Sequence, residues 1–196
     1  MRENRVNKIA GVDEVGRGTI AGPVVSAAIV LDPKLLYGNP LSINESKKLS
    51  EKKRVAFFKK FITSNSTFSV GYSTHDEIDK YGILESTKMS MLRAIERLGI
   101  QVDVILIDSV KLNLDINSFS FNKADSISVT VASASIVAKV SRDALMSRVY
   151  ENLYPGYFFK NNKGYGSKLH VESLCSKGIS RIHRKSFKPV STFVWW

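Results

Sequence analysis

The stretch GVDEVGRG, residues 11–18, decides how the rest of the chain is interpreted. Two adjacent acids, Asp13 and Glu14, end an apolar run, and Arg17 follows between two glycines. Neighbouring carboxylates repel each other unless something positive lies between them, and a glycine-rich turn lets the backbone approach a phosphate closely. The stretch therefore predicts metal-dependent chemistry on a nucleic acid.

The two acids raise a geometric question about the strand that carries them. On a regular strand Asp13 and Glu14 point to opposite faces. For both to reach one metal ion, the strand must distort, or Glu14 must contribute its backbone carbonyl. Gly16 and Gly18 make such a distortion easy. Because oxygen ligands without a His and Cys cluster suit hard cations, the expected cofactor is Mg²⁺ or Mn²⁺.

The pattern of apolar and polar residues along the chain predicts two strands first and then a mixture of strands and helices. The predicted strands cover residues 6–16, 20–31, 66–73, 102–108 and 119–122, the predicted helices cover 51–64, 85–98, 130–152 and 169–177, and a loop covers 32–47. This order predicts an α/β fold. A length of 196 residues suits one sizeable domain, with about residues 153–196 forming a basic helical region that binds substrate.

Charge and composition narrow the class of function. The formal net charge is +11, and residues 139–188 hold 11 Lys and Arg residues against three acids, which predicts a polyanionic partner. No apolar run is long enough to span a membrane, and the polar N-terminus lacks a secretion signal. The single cysteine, Cys175, fits a reducing cytoplasm.

Two further acids, Asp108 and Asp125, lie at or just beyond the ends of apolar segments. Active sites collect at strand ends in open α/β sheets. Each acid is therefore a candidate metal ligand together with Asp13 and Glu14, and the alternative for each is a solvated charge at a strand end.

Motifs along nearly the whole chain resemble those of the ribonuclease HII family, in the same order. They are GVDEVGRG (11–18), NESKKLS (44–50), ILIDS (105–109), KADSISVTVASASIVAKVSRD (123–143), YPGYFFKNNKGYGSKLH (154–170) and GISRIHRKSFKPV (178–190). The resemblance implies a ribonuclease-H-like fold, in which helices flank a mixed β-sheet, with a C-terminal helical region. It also implies a metal-dependent endoribonuclease that cuts the RNA strand of RNA/DNA hybrids and nicks duplex DNA 5′ of an embedded ribonucleotide. Such an enzyme acts in the removal of ribonucleotides and RNA primers.

The same resemblance assigns roles to residues. The metal-binding catalytic acids are Asp13, Glu14, Asp108 and Asp125. The turn Gly16-Arg17-Gly18 contacts the 2′-hydroxyl and a nearby phosphate, and Tyr165 stacks on the sugar at the RNA–DNA junction. This fits the chemistry, since a 2′-hydroxyl is what distinguishes RNA from DNA at one nucleotide. Further candidates for phosphate or substrate contact, each with an ordinary solvated or salt-bridged alternative, are Asn44, Ser46, Lys47, Lys139, Arg142, Lys168 and Arg184.

Some residues depart from the family pattern. Ala124 replaces the glycine of Lys-Gly-Asp, and an alanine adopts a positive φ with difficulty, so the loop that places Asp125 is expected to differ. Glu45 stands where the family has Asp, and Ser109 follows Asp108 where glycine is frequent.

Rival interpretations concern a related enzyme and a binding module. Ribonuclease HIII shares the fold but carries an extra N-terminal substrate-binding domain, for which the ten residues before the motif leave no room. A non-catalytic module would bind hybrids without metal-stimulated cleavage, and the presence of all four acids argues against it.

The protein is expected to act as a monomer. The C-terminal STFVWW (191–196) is a candidate for weak docking onto a sliding clamp, with packing of Trp195 and Trp196 on the body as the alternative.

Overall fold

A computed structural model describes residues 8–37 and 49–194. The predicted substrate contacts Asn44, Ser46 and Lys47 lie outside the described residues, as do Trp195 and Trp196 of the C-terminal tail. The strands are β1 (Ile9–Val15), β2 (Val24–Val30), β3 (Thr67–Ser73), β4 (Val104–Asp108) and β5 (Ser118–Phe121). The helices are α1 (Pro33–Tyr37), α2 (Glu51–Ile62), α3 (His75–Arg97), α4 (Ala124–Ile127), α5 (Val129–Ala144), α6 (Glu151–Leu153), α7 (Phe159–Asn162) and α8 (Lys168–Lys177).

The five strands form one mixed sheet in the order β3-β2-β1-β4-β5. β1 runs antiparallel to β2 and parallel to β4, and β4 runs parallel to β5. The parallel part of the sheet brings the carboxyl ends of β1 and β4 to the same edge. The predicted mixed sheet flanked by helices is confirmed.

Helix α3 covers one face of the sheet. Ala10 and Val12 of β1 lie in one buried cluster with Met91, Ala94 and Leu98 of α3. The alternation along β1 explains this arrangement, because every second residue of a strand points to the same side.

Helices α2 and α5 cover the other face. Ile29 of β2 shares a buried cluster with Phe61 of α2 and with Ile136 and Val137 of α5. The sequence of α5 is rich in Ala and Ser, and these small side chains allow the helix to lie close to the sheet.

Gly11 is the point of closest approach between β1 and α5. A Cβ atom added at Gly11 would lie 2.4 Å from the carbonyl carbon of Thr130 and 2.5 Å from the backbone nitrogen of Val131. These atoms belong to the first turn of α5 and cannot rotate away. Gly11 therefore sets the distance between the strand that carries Asp13 and the helix that faces it.

Gly11→Ala is expected to destabilise the protein by roughly 1–3 kcal/mol, because the added methyl group overlaps backbone atoms. The free energy of unfolding in urea measures this. Gly18→Ala is the matched control, since a Cβ atom there would meet nothing within 4 Å. Equal stabilities for the two variants would contradict the close packing of α5 on β1.

The C-terminal part packs as a third cluster beyond the sheet. Ile20, in the loop after β1, is buried together with Met146, Phe159, Leu174 and Ile182. The segment around His183 also forms a β-bridge with Ala21. The C-terminal helices are thus joined to the loop that follows the Gly16–Gly18 turn.

Several predicted boundaries need correction. The predicted loop over 32–47 contains α1. The predicted helix over 85–98 corresponds to the second part of α3, which follows a break at Gly82, whose φ of 79° and ψ of 162° are not helical. The first part of α3 begins at His75, after a capping box formed by Thr74 and Glu77, and was not predicted. The predicted helix over 130–152 changes to a π-helical segment at Leu145–Tyr150. The predicted helix over 51–64 is α2, and the side chain of its N-cap, Ser50, accepts a hydrogen bond from the backbone of Lys53.

Across residues 8–37 and 49–194, none of the helices combines the length and apolar character needed to cross a membrane.

Candidate active site

The register of the sheet places Asp13 beside Asp108. Val12 pairs with Ile107 at the end of the parallel ladder between β1 and β4. Asp13 and Asp108 are the next residue on each strand, so their side chains project to the same face of the sheet. Gly11, two residues before Asp13, contacts the start of α5, which identifies this face as the one that α5 covers.

A cavity of about 300 Å³ opens at this edge of the sheet. Its lining residues are Asp13, Glu14, Val15, Arg54, Asp108, Ser135, Ile136, Lys139 and Tyr165. Glu14 reaches the cavity although β1 pairs regularly with β2 as far as Val15. Of the two alternatives given by the sequence, a distortion of β1 or a contribution from the Glu14 backbone carbonyl, the distortion is therefore not needed for both acids to share one cavity.

The negative charges of the acids in the cavity are poorly balanced by positive charges. Burial raises the pKa of Asp13 well above its ordinary value, the negative charge of Glu14 raises it further, and a hydrogen bond with Ser135 acts in the opposite direction. Burial also raises the pKa of Glu14, while Arg17 lowers it and Asp108 raises it. Arg17 Nη1 lies 3.4 Å from Glu14 Oε1, but the Arg17 side chain is 41% exposed, so this pair offsets little of the repulsion.

These groups fit a divalent cation with hard oxygen ligands. Glu14 Oε2 is buried and has no hydrogen-bond partner among the described residues, and the cavity is lined by neither His nor Cys. A cation there would relieve the repulsion that raises the two pKa values. No three acidic, His or Cys side chains in the described ranges already stand in a metal-binding arrangement, so the fit rests on the chemistry of the donors and on their shared cavity.

Asp125 approaches this edge through helix α4. The backbone N–H of Ala124 donates to Asp108 Oδ1 at 2.7 Å, which ties the start of α4 to the end of β4. Asp125 is buried at 3% exposure but does not line the cavity. The positive φ of this loop lies at Lys123 (61°), and Ala124 is helical. Ala124 therefore creates no backbone strain, which answers the concern raised by its replacement of glycine.

Ser109, which follows Asp108, has a φ of 57°. The family often has glycine at this position. A positive φ is a conformation that favours glycine. Asp108 is thus followed at once by a sharp change of chain direction.

One face of α5 forms the opposite wall of the cavity. Ser135 and Lys139 are four residues apart, as are Lys139 and Asp143, so all three lie on one side of the helix. Lys139 Nζ lies 2.9 Å from Asp143 Oδ1 and 5.7 Å from the centre of the Tyr165 ring. Lys139 therefore joins α5 to Tyr165, which is 42% exposed at the mouth of the cavity.

Sequence reasoning missed Ser135 and Arg54. Ser135 lies four residues before Lys139, and this spacing was the available signal. Arg54 lies in α2 among other basic residues, and its position at the cavity depends on how α2 packs beside α5. Its Nη1 donates to the backbone carbonyl of Leu49, just before α2.

The Gly16-Arg17-Gly18 turn follows β1 directly. Gly16 has a φ of 94°, and a Cβ atom there would lie 2.3 Å from Arg142 Nε. The Thr19 hydroxyl donates to the Gly16 carbonyl at 3.0 Å. A glycine at position 16 is thus required by both backbone conformation and space.

Arg142 is fully buried, which corrects its prediction as a phosphate contact. Its guanidinium donates to the carbonyls of Pro23 (2.9 Å), Ala21 (3.1 Å) and Lys163 (2.7 Å) and to Thr19 Oγ1 (2.9 Å). Because every nitrogen is used inside the protein, none is available to a phosphate. Burial lowers the pKa of Arg142 to about 10, so it stays charged at neutral pH.

Arg184 requires the same correction. It has no exposed surface, and it donates to the carbonyls of Gly22 (3.0 Å), Arg17 (2.9 Å) and Gly16 (2.7 Å). Burial, followed by repulsion from Arg142, lowers its pKa to about 9. Both arginines thus hold the Gly16–Gly18 turn and the loop after it from within.

The loop that carries Tyr165 lies against the same segment. The Gly164 carbonyl accepts hydrogen bonds from the backbone of Ile20 (2.9 Å) and Ala21 (3.3 Å). Since Arg142 also binds the Lys163 carbonyl, the structure brings Tyr165 and the glycine turn together. Lys168 stays apart: its side chain is 92% exposed and lies 4.0 Å from Glu172.

The sequence model of the family described as "Ribonuclease HII" matches residues 10–190. The chain belongs to the ribonuclease HII family. A curated ribonuclease HII from Ligilactobacillus salivarius (strain UCC118) is 46% identical over 185 residues, which are 94% of this chain and 71% of that protein.

Solved structures agree with this membership in the ribonuclease HII family. The crystal structure of ribonuclease H2 from Pyrococcus horikoshii OT3 is similar with a TM-score of 0.77 and 26% identity, covering 95% of this chain and 97% of that one. The RNase HII chain in the PCNA:RNase HII complex from Archaeoglobus fulgidus has a TM-score of 0.76 and 25% identity, covering 93% and 96%. The predicted ribonuclease-H-like fold is confirmed, and the chain is an endoribonuclease of the ribonuclease H type that acts on RNA/DNA hybrids.

Proposed function

We propose that the chain is a metal-dependent enzyme that nicks duplex DNA on the 5′ side of an embedded ribonucleotide and leaves a 5′-phosphate. The observation that carries this proposal is the position of Tyr165, an aromatic ring at the mouth of the cavity that holds Asp13, Glu14 and Asp108. An aromatic ring beside the reacting phosphate can test the shape of a sugar, and a hybrid nuclease without such selectivity would not need one.

The carboxylates would hold the metal. Asp13, Glu14 and Asp108 line the cavity, and Asp125, buried in α4 beside the end of β4, would be the fourth ligand. Mg²⁺ or Mn²⁺, when bound, supplies activation of water and stabilisation of the leaving oxygen. The chain itself supplies a buried, negatively charged pocket whose ligands are fixed at the ends of two strands and one helix.

The Gly16-Arg17-Gly18 turn would sense the 2′-hydroxyl. Its backbone is held by Arg184 on two carbonyls, so its remaining polar groups keep one orientation. A 2′-hydroxyl can both donate and accept hydrogen bonds. The turn and Tyr165 would therefore test the same sugar from two sides.

Basic residues around the cavity would follow the phosphate backbone. Arg17, Arg54 and Lys139 lie beside the carboxylates, and Lys168 extends from α8 into solvent. Residues from about 153 onward form the substrate-binding region of a single domain, with Asn44, Ser46 and Lys47 as further contacts. We place the enzyme in the cytoplasm as a monomer that removes ribonucleotides and RNA primers from DNA.

The C-terminal tail is a second contact surface in this proposal. The A. fulgidus ribonuclease HII was solved in a complex with PCNA, and the tail STFVWW ends in two aromatic residues. We propose weak docking onto a sliding clamp. A pull-down with the clamp, with and without the last six residues, tests it: retention that does not depend on the tail contradicts docking.

Tyr165→Ala tests the proposed sugar contact. The expected result is a fall of roughly tenfold to a hundredfold in kcat/KM on a duplex with one ribonucleotide, which corresponds to a stacking contact of about 1–3 kcal/mol. Tyr81→Ala is the matched control, because Tyr81 is similarly exposed and also has a lysine over its ring. Equal activity of the two variants would contradict the assigned role of Tyr165.

A further inference from the structure

Two buried histidines lie behind Tyr165 and take no part in the proposed chemistry. His170 is fully buried, and His183 is 1% exposed. Their Nε2 atoms are 2.9 Å apart. The rings of Tyr157 and Phe159 pack against them, with centroid distances of 5.0 Å from Tyr157 to His183 and 5.3 Å from Phe159 to His170.

The partners of the outer nitrogens fix where the protons are. His170 Nδ1 lies 2.8 Å from the Tyr165 carbonyl, which can only accept, so this nitrogen carries a proton. His183 Nδ1 lies 2.9 Å from the backbone N–H of Ser180, which can only donate, so this nitrogen carries none. The Ser180 hydroxyl, 2.7 Å from the same atom, donates as well.

These two constraints determine the hydrogen bond between the rings. A neutral His183 that is unprotonated at Nδ1 is protonated at Nε2, and it donates to the free Nε2 of His170. The reverse arrangement would have His183 Nδ1 donating to the Ser180 carbonyl at the longer distance of 3.3 Å. It would also set two lone pairs against each other between His170 and Tyr165.

Burial favours this neutral pair. Desolvation lowers the pKa of His170, and desolvation together with the charge of His170 lowers the pKa of His183 to about 4. An added proton on His170 Nε2 would place two N–H groups against each other at the Nε2 contact. The pair therefore has one arrangement of protons at neutral pH.

The histidine pair connects the two segments that would test the sugar. His170 lies in the first turn of α8 and binds the carbonyl of Tyr165 itself. His183 forms a β-bridge with Ala21, and its neighbour Arg184 binds Gly16 and Arg17. The hydrogen bond between the rings thus joins the Tyr165 loop to the segment that holds the glycine turn.

We propose that His170 and His183 are positioning residues for ribonucleotide selection: His183 fixes the tautomer of His170, and His170 fixes the backbone of Tyr165. This inference rests on the proposed role of Tyr165 at the sugar. It predicts that selectivity depends on a hydrogen-bond donor at the Nδ1 position of residue 170.

Two amide variants separate this role from a general contribution to stability. In His170→Asn the amide nitrogen takes the place of Nδ1 and still donates to Tyr165, but the contact with His183 is lost. In His170→Gln the amide oxygen takes the place of Nε2 and still accepts from His183, but the donor to Tyr165 is lost. Each variant gives up one buried hydrogen bond, so comparable losses of stability are expected.

The measurement is kcat/KM on a duplex with one embedded ribonucleotide and on a long RNA/DNA hybrid, with Tm recorded for each protein. His170→Gln is expected to lose roughly tenfold in the ratio of the two activities, as the loss of a positioning hydrogen bond suggests. His170→Asn is expected to stay near the wild-type ratio. Equal ratios for the two variants, or losses that only follow Tm, overturn the proposal.

Comparison of Tyr165→Ala with wild-type protein distinguishes a failure of the positioning role from a failure of the proposed function. If Tyr165→Ala loses the single-ribonucleotide substrate while His170→Gln retains it, only the positioning role is wrong. If Tyr165→Ala behaves as wild type, the assigned role of Tyr165 is wrong and the positioning role falls with it.

The tautomers give a spectroscopic test. In protein labelled with ¹⁵N-histidine at pH 7, His170 is expected to carry its proton on Nδ1 and His183 on Nε2, with the Nε2 proton of His183 shifted by its hydrogen bond. Observation of His170 protonated on Nε2 instead would overturn the proposed relay.

Discussion

Asp13→Asn is expected to abolish cleavage while making the metal-free protein more stable. Asn at position 13 retains an oxygen that can accept the hydrogen bond that the Glu14 backbone donates to Asp13 Oδ1 at 2.7 Å, but it lacks the charge that a cation requires. Since a bound metal contributes several kcal/mol to such a reaction, the rate should fall by roughly a thousandfold or more.

The gain in stability follows from the crowding of the carboxylates. Folding raises the pKa of Asp13 through burial and through repulsion from Glu14 and Asp108, so the charged form opposes folding at neutral pH. Removing the charge should raise Tm by several degrees, since each kcal/mol is worth about 2–4 °C in a chain of this length. The advantage of Asn should disappear as the pH falls below 3.8, the ordinary pKa of Asp, because Asp13 is then protonated in both states.

Addition of Mg²⁺ or Mn²⁺ completes this test. A cation that binds the folded state raises Tm, so wild-type protein should gain stability from the metal and Asp13→Asn should gain less. Asp115→Asn, at an exposed position, is the control and should match wild type in activity and Tm. Retained cleavage by Asp13→Asn would refute the assignment of Asp13 as a metal ligand.

Arg184→Met is expected to cause the largest loss of stability among these variants. It removes the guanidinium from three backbone carbonyls, those of Gly16, Arg17 and Gly22, within a buried region. The Gly16 carbonyl keeps the Thr19 hydroxyl as a donor, and each buried carbonyl left without a donor costs about 1–3 kcal/mol. A total loss of roughly 3 kcal/mol or more is expected, together with reduced selectivity for a ribonucleotide because the Gly16–Gly18 turn loses its anchor.

Arg184→Lys is not expected to rescue the protein. The three contacts come from three different nitrogens of a planar group, and one ammonium cannot reproduce them. Arg181→Met is the matched control, because Arg181 lies three residues away and is exposed. Urea unfolding and cleavage assays measure both effects, and a stable, selective Arg184→Lys variant would contradict the anchoring role.

The sequence predicted those features that depend on local patterns. The apolar runs of β1 and β4 and the acids near their ends could be recognised from neighbouring residues alone. That Asp13 and Asp108 lie side by side required the register of a parallel pair, which no local pattern encodes. The resemblance to ribonuclease HII supplied that information.

Predictions from the sequence were wrong where contacts with distant backbone atoms determine the position of a side chain. Arg142 and Arg184 were predicted to be surface cations because most of their acceptors are backbone carbonyls more than 100 residues away in the chain, and none of their acceptors is acidic. The first part of α3, before Gly82, was missed although Thr74 and Glu77 have the spacing of a capping box. Gly82 interrupts the helical pattern there and concealed this signal.

Cleavage of a DNA duplex that carries one ribonucleotide, compared with the same duplex carrying the matching deoxynucleotide, tests the central claim most directly. In the presence of Mg²⁺ or Mn²⁺, wild-type protein should cut the first duplex once, on the 5′ side of the ribonucleotide, and leave a 5′-phosphate. The all-DNA duplex should remain intact, and a chelator should stop the reaction. Equal cleavage of both duplexes, or undiminished cleavage in the chelator, would contradict a metal-dependent site that selects the 2′-hydroxyl.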